Sequence, residues 1–230
     1  IMGFKDYDIV MGVEGIFTSE WVGLKYFREF VNDYNFANLV KNTVGISLLK
    51  LIFTFPIPII FAVMLNEMKC LRFKKLVQTC SYLPHFISWV IISGISFQFL
   101  SSGGIINTLL MSLGLIGQPI GFLTDPDLYW GFAVLSDVWK EMGWWTIVFL
   151  AAIVGVSQDL YEAAQIDGAG RLQRIWHITL PCIKPTIVVV LILALGNLFG
   201  GGLSGSNFEQ SYLMGNSMNK ETSQIIQTYV

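Results

Sequence analysis

Four apolar stretches leave this chain of 230 residues few ways to fold. They run from Thr43 to Leu65, Tyr82 to Leu100, Tyr129 to Val156 and Thr186 to Phe199, each rich in Ile, Leu, Val, Phe or Trp. A helix needs about 20 such residues to cross a bilayer core. Hydrocarbon offers no water to unpaired backbone groups, and a helix satisfies them within one segment. The composition agrees, with 53% hydrophobic and 13% charged residues, outside the balance of soluble domains. The expected fold class is all-α, a polytopic helical membrane protein. Pro56 and Pro58 fall inside the first stretch, where neighbouring helices can re-satisfy the freed carbonyls. Lys50 lies there too, either snorkelling or facing the protein interior.

The connections set the orientation. Asn66 to Gln78 reads as a short polar loop with Lys69, Arg72, Lys74 and Lys75, and 157–185 carries Arg171, Arg174 and Lys184. Between them, Ser101 to Asp127 has no Lys or Arg and is punctuated by glycines, so it reads as short interfacial helical pieces. The positive-inside rule places the first two connections in the cytoplasm and the third outside. Residues 1–41, with Lys5, Lys25, Arg28 and Lys41, dissent from the rule, and two loops outweigh one segment. Leu203 to about Glu221 is rich in Gly, Ser and Asn and reads as a loop.

The connection after the third stretch contains Glu162-Ala163-Ala164-Gln165-Ile166-Asp167-Gly168-Ala169 and then Ile178-x-Leu180-Pro181. Its residue types predict two short helices at an elbow. Leu160 to Ile166 suits a helix, with the Glu162 carboxylate near its positive end. Gly168 suits the turn, because glycine takes positive φ at little cost. Leu172, Ile175, Trp176, Thr179 and Leu180 are expected on one face, and Arg171, Arg174 and His177 on the other, which in an ordinary helix-turn-helix would be a solvated face. Pro181 is expected to end the second helix.

Seven positions of this segment (Glu162, Ala163, Ala164, Gly168, Ile178, Leu180 and Pro181) resemble the EAA loop of ABC-importer permeases. The Ile166-Asp167 pair before the glycine is most similar to the carbohydrate branch. Trp21-Val22-Gly23-Leu24-Lys25-Tyr26-Phe27, Leu83-Pro84-x-Phe86-Ile87-Ser88 and Trp139-x3-Gly143 also resemble permease segments. The resemblance implies a type I ABC-importer transmembrane domain, truncated at both ends, in a bacterial plasma membrane. Residues 1–41 would be an extracytoplasmic segment whose first membrane helix is missing. Residues 42–230 would be the transmembrane domain, with a cytoplasmic coupling loop at 157–181. Glu162, Ala163, Ala164, Gly168, Arg171, Arg174, Ile178, Leu180 and Pro181 would couple to an ATPase. Glu162 would contact it, while Ile178, Leu180 and Pro181 anchor the loop. The implied partners are cytoplasmic ATPase subunits, a second homologous permease, an extracytoplasmic sugar-binding protein and membrane lipid. ATP and Mg would be bound by the ATPase, with no cofactor in this chain.

Asp137, Trp139, Lys140, Glu141 and Trp144 crowd the third stretch. Counting back from Val156 puts Asp137 near the outer interface. Carboxylates beside Trp faces suit a sugar, which presents hydroxyls and flat C–H surfaces. Helix–helix packing explains the same residues equally well, and Asn197 shares that status. Another class is an ion-coupled secondary transporter with Asp137, Glu141 and His85 as a proton relay. A third variant is an ABC permease for a non-sugar solute. The chain shows no nucleophile motif, phosphate loop or metal-ligand spacing, with Cys70, Cys80 and Cys182 scattered, so an enzyme is the weakest class. Nor is there a basic, aromatic-interleaved patch for nucleic acid. The orientation predicts that Cys70 and Cys182 face the cytoplasm and a cysteine introduced at Ser112 faces outward. Impermeant thiol reagents on intact cells should label only the last, and outside labelling of Cys70 or Cys182 would reverse the topology.

Overall fold

The structure is a computed structural model. It describes residues 2–7 and 9–229, so the two ends expected to be cut lie partly outside the described residues. The chain divides into two compact units, residues 1–41 and 42–230. In the first, α1 (Gly12–Thr18) and α2 (Lys25–Val31) flank a short antiparallel bridge of Lys5 with Trp21. Phe4 stacks on Trp21 at 5.9 Å and meets Phe27 at 5.1 Å, so aromatic contacts hold this small unit.

The second unit is helical throughout its regular elements. α3 (Phe36–Thr54) and α4 (Pro56–Asn66) are separated by a break at Phe55. Pro56 takes the first turn of α4, where its missing N–H costs least. Together they make an apolar run of 31 residues, long enough to span a membrane. The segment expected as a loop after Asn66 is instead largely helix, α5 (Leu71–Tyr82). Its charges interrupt the apolar pattern, but Lys, Arg, Leu and Gln are strong helix formers, and no Gly or Pro falls within it. A 3₁₀ turn at Leu83–Phe86 follows, with Pro84 in its first turn. α6 (Trp89–Leu100) starts at Ser88, whose Oγ accepts from Ile91 N–H, and α7 (Ile105–Ser112) extends that span to 24 residues.

α8 (Pro126–Val154) is the longest element, at 29 residues and about 43 Å by helical rise. It begins before the expected Tyr129, because Asp125 caps it through Asp127 N–H and Pro126 fits its first turn. Lys140 is therefore its middle residue. The charged turn sits at mid-helix, not near an end as counting back from Val156 suggested. α8 then bends by 68° into α9 (Gln158–Ile166).

α10 (Arg171–Arg174), a π-helical turn at Ile175–Thr179 and α11 (Leu180–Gly196) form one continuous run of 26 residues. Pro181 thus does not end a helix. It occupies the first turn of α11, and the wider turn before it absorbs the lost hydrogen bond, with Leu180 N–H bonding back to Ile175 O. The stretch after Leu203 is also not a plain loop. α12 (Asn207–Met214) buries Asn207, Gln210, Ser211 and Met214 on one face. That face is polar, so hydrophobic periodicity could not show it. α13 (Lys220–Ser223) and α14 (Ile226–Tyr229) complete the described chain.

Two apolar clusters organise this unit. One gathers Ile46, Trp89, Ile92, Tyr129, Ala133, Met214 and Ile225, and the other Ala62, Phe149, Ile153, Val156, Ile183 and Val190. α8 contributes to both. Gly143 allows close approach, for a Cβ there would collide with the Ser81 carbonyl oxygen on α5. Gly143→Ala should therefore force α5 and α8 apart at about 1–3 kcal/mol, read as lower thermal stability of the purified protein. Unchanged stability would show that the two helices relax freely around an added methyl group.

Candidate functional site

The first place that gathers the expected residues is the bend after α8. Ser157 caps α9 by accepting from Asp159 N–H at 3.3 Å, and Asp159 adds negative charge to the first turn. At the other end Gly168 takes φ +80°. Ala169 N–H bonds to Ala164 O at 2.8 Å and Gly168 N–H to Gln165 O at 3.0 Å, the paired bonds of a Schellman cap. Two residues on, Gln173 Oε1 accepts from Gly170 N–H at 2.7 Å and closes the start of α10. The elbow is thus shaped by its own backbone.

Tyr161 ties the elbow to the membrane domain. Its hydroxyl hydrogen-bonds Thr179 Oγ1 at 2.9 Å, and Tyr161, Ile178 and Leu180 pack against the Phe149–Ile183 cluster. Glu162, Ala163 and Gly168 are exposed on the outer side, Ala164 is half-buried, and Ile166 is 87% exposed. The predicted two-faced second helix is not observed. Leu172 and Trp176 are 72% and 67% exposed, whereas Thr179 is buried and Arg174 half-buried. Leu172 and Arg174 precede the π turn at Ile175–Thr179, so its extra residue shifts the register only of the positions after it. Arg171 is exposed, as expected of a solvated side chain.

The second place is the middle of α8. Asp137 is fully buried, and so is Lys50 of α3, whose Nζ lies 3.7 Å from Asp137 Oδ1. Ser206 bridges them, its Oγ accepting from Lys50 at 2.8 Å and donating to Asp137 Oδ1 at 2.6 Å. Thr54 Oγ1 donates to Asp137 Oδ2 at 3.3 Å. Lys50 therefore faces the interior. One turn along, Glu141 Oε2 lies 2.9 Å from His85 Nδ1, and Oε1 lies 3.5 Å from Lys140 Nζ. Lys140 also donates to the His85 carbonyl and lies over the Trp89 ring. His85 stacks on Trp144, with centroids 4.4 Å apart and planes within 3°. Trp144 and Trp139 are both partly open. Asn197 Nδ2 donates to Gly202 O and pins the glycine turn after α11.

A family model described as binding-protein-dependent transport system inner membrane component matches residues 51–228. The chain belongs to that family. It is a multi-pass inner-membrane permease, a transport subunit and not a catalytic one. Membership sets aside the ion-coupled alternative. The permease is 46% identical over its whole length to Protein LplB of Bacillus subtilis (strain 168), covering 70% of that relative. It is equally 46% identical, over its whole length and 69% of the relative, to the polygalacturonan/rhamnogalacturonan transport system permease protein YteP of the same organism. A chain in the crystal structure of a bacterial ABC transporter involved in import of the acidic polysaccharide alginate superposes with a TM-score of 0.86. That match is 41% identical and covers 96% of the permease and 75% of that chain. A chain of the alginate transporter in complex with alginate pentasaccharide-bound periplasmic protein gives 0.84 at 42% identity, over 90% of the permease and 70% of that chain.

Sequence reasoning missed Tyr161, Gln173, Thr54 and Ser206. Only Gln173 left a signal, standing three residues after a helix-starting Gly170, the spacing of a capping box. Ser206 sits in a polar stretch that gives no hint of a buried partner. Breaking the Lys50–Asp137 pair strands a buried charge, so Lys50→Met should cost about 3–5 kcal/mol. Adding Asp137→Leu should recover much of it, and thermal denaturation of the purified permease reads both. A single variant as stable as wild type would show the pair to be dispensable.

Proposed function

We propose that this permease carries acidic oligosaccharides, fragments of uronic-acid polysaccharides, through an ATP-driven importer. The observation that carries the reading is the outward-facing elbow of Glu162, Ile166 and Gly168, rigidly capped and anchored by Tyr161 to the core that α8 shares. A stiff lever of this kind suits the docking of an ATPase subunit that binds ATP and Mg. Glu162, Ala163, Ala164, Gly168 and Arg171 form its exposed or half-exposed surface, while Ile178, Leu180 and Pro181 root it. A second, related permease completes the membrane channel, and an extracytoplasmic binding protein delivers the solute. Residues 1–41 lie on that extracytoplasmic side.

The substrate class draws support from the relatives named for polygalacturonan, rhamnogalacturonan and alginate. It also fits the partly open Trp144, a flat ring stacked on His85 and backed by the buried Lys140 and Glu141. Asp137, Trp139 and Asn197 have other surroundings, and in our reading they serve packing and turn geometry.

Glu162 is exposed, so the packing of the membrane helices does not depend on it. Glu162→Ala should therefore leave those helices intact and loosen the ATPase. Removing a charge-assisted hydrogen bond from an interface costs about 2–5 kcal/mol. Co-purification of the ATPase and uptake should both fall by tenfold or more. Full retention of both would place the docking surface elsewhere.

A further inference from the structure

Under the inner face of α9 lies a cleft of about 600 Å³ that the transport reading does not use. Gln158, Tyr161 and Gln165 line it from α9, at the i, i+3, i+7 spacing of one helical face. Glu162 and Ile166 are not part of the lining, and Ile166 is 87% exposed. Across the cleft stand Glu67 and Lys69 of the turn after α4, and Arg171 and Arg174 close its side.

The charges here are unbalanced. Lys69, Arg171 and Arg174 have no carboxylate within 4.0 Å among the described residues, and Glu67 is the only acid in the lining. Arg174 is the strongest sign. Its side chain is half-buried, and its Nε is shielded from solvent with no hydrogen-bond partner among the described residues. A buried donor on a charged group left unsatisfied is costly, and a guanidinium fork matches the oxygens of a phosphate. The amides of Asn66, Gln158 and Gln165 supply neutral donors, while Met68, Ile153 and Val154 supply an apolar rim. The space exceeds a bare ion and suits a phosphate with an organic attachment.

We propose that this cleft binds a phosphate group, either the headgroup of an anionic phospholipid or a soluble phosphate, and that the ligand ties α9 to the 66–69 turn. Bound there, it sits between the elbow and the membrane domain. Its occupancy sets how stiffly the elbow is held. The inference does not depend on which solute the permease carries.

The test uses the full-length permease, purified with the subunits that accompany it, in two parallel arms. In one, nanodiscs of phosphatidylcholine with added phosphatidylglycerol are analysed by native mass spectrometry for retained phosphatidylglycerol. In the other, radiolabelled orthophosphate binding is measured in phosphatidylcholine nanodiscs. Arg174→Gln and Lys69→Gln should each weaken retention on the order of tenfold, the loss of a charge-assisted hydrogen bond. Glu67→Gln, which removes the one repelling charge, should strengthen it by about threefold. Lys75→Gln, on α5 outside the cleft, should change nothing. This pattern with phosphatidylglycerol identifies a lipid headgroup, and the same pattern with orthophosphate alone identifies a soluble ligand. No retention in either arm overturns the proposal, as does retention that ignores Arg174 and Lys69 or falls equally with Lys75→Gln. Should Arg174→Gln fail to fold, Lys69→Gln decides, because Lys69 lies exposed in a turn.

Discussion

The fully buried Lys50–Asp137 pair is the constraint around which the membrane unit is arranged. Two opposite charges shielded from solvent persist only when their remaining lone pairs and protons are satisfied. Ser206 and Thr54 do this, joining α3, α8 and the segment before α12 at one point. Thr54 is the last residue before the break at Phe55, so the network also fixes where the first span bends. Asn207 Nδ2, donating to Ser47 Oγ at 2.9 Å, and Gln210 Nε2, donating to Ala133 O at 3.1 Å, extend the same polar seam along α12. A short helix with a polar inner face is thereby held among apolar spans without orphaned donors at these positions.

α8 connects this seam to both candidate sites. Its middle turn carries Lys140 and Glu141 against His85 and Trp89, and its last turns contribute Phe149 and Ile153 to the cluster that receives Tyr161, Ile178 and Leu180. Under the proposed function, a displacement of the elbow would pass through these packed side chains to the helix that bears the charged turn. The Schellman cap at Gly168 and the Tyr161–Thr179 hydrogen bond keep the elbow from absorbing that displacement itself. The cleft beneath α9 lies on this same path, and a ligand there would add a second tie between elbow and core.

Much of this was legible in the residues. Apolar length alone identified an all-helical membrane protein, since hydrocarbon leaves the backbone no other partner. The spacing from Glu162 to Pro181 identified the elbow and the family, because glycine at 168 answers a backbone requirement that no neighbour can alter. What the sequence could not decide was every feature that depends on a distant partner. Arg174 reads as solvated from its helical position, yet it is half-buried and its Nε is shielded from solvent with no partner among the described residues. Pro181 reads as a helix end, yet the preceding π turn lets the run continue for 26 residues. Asp137 reads as a candidate sugar ligand until Lys50, far earlier in the chain, is found beside it. Local backbone demands are written in local residue types. Burial, pairing and register past an irregular turn are set by which segments pack together, and only the tertiary structure decides that.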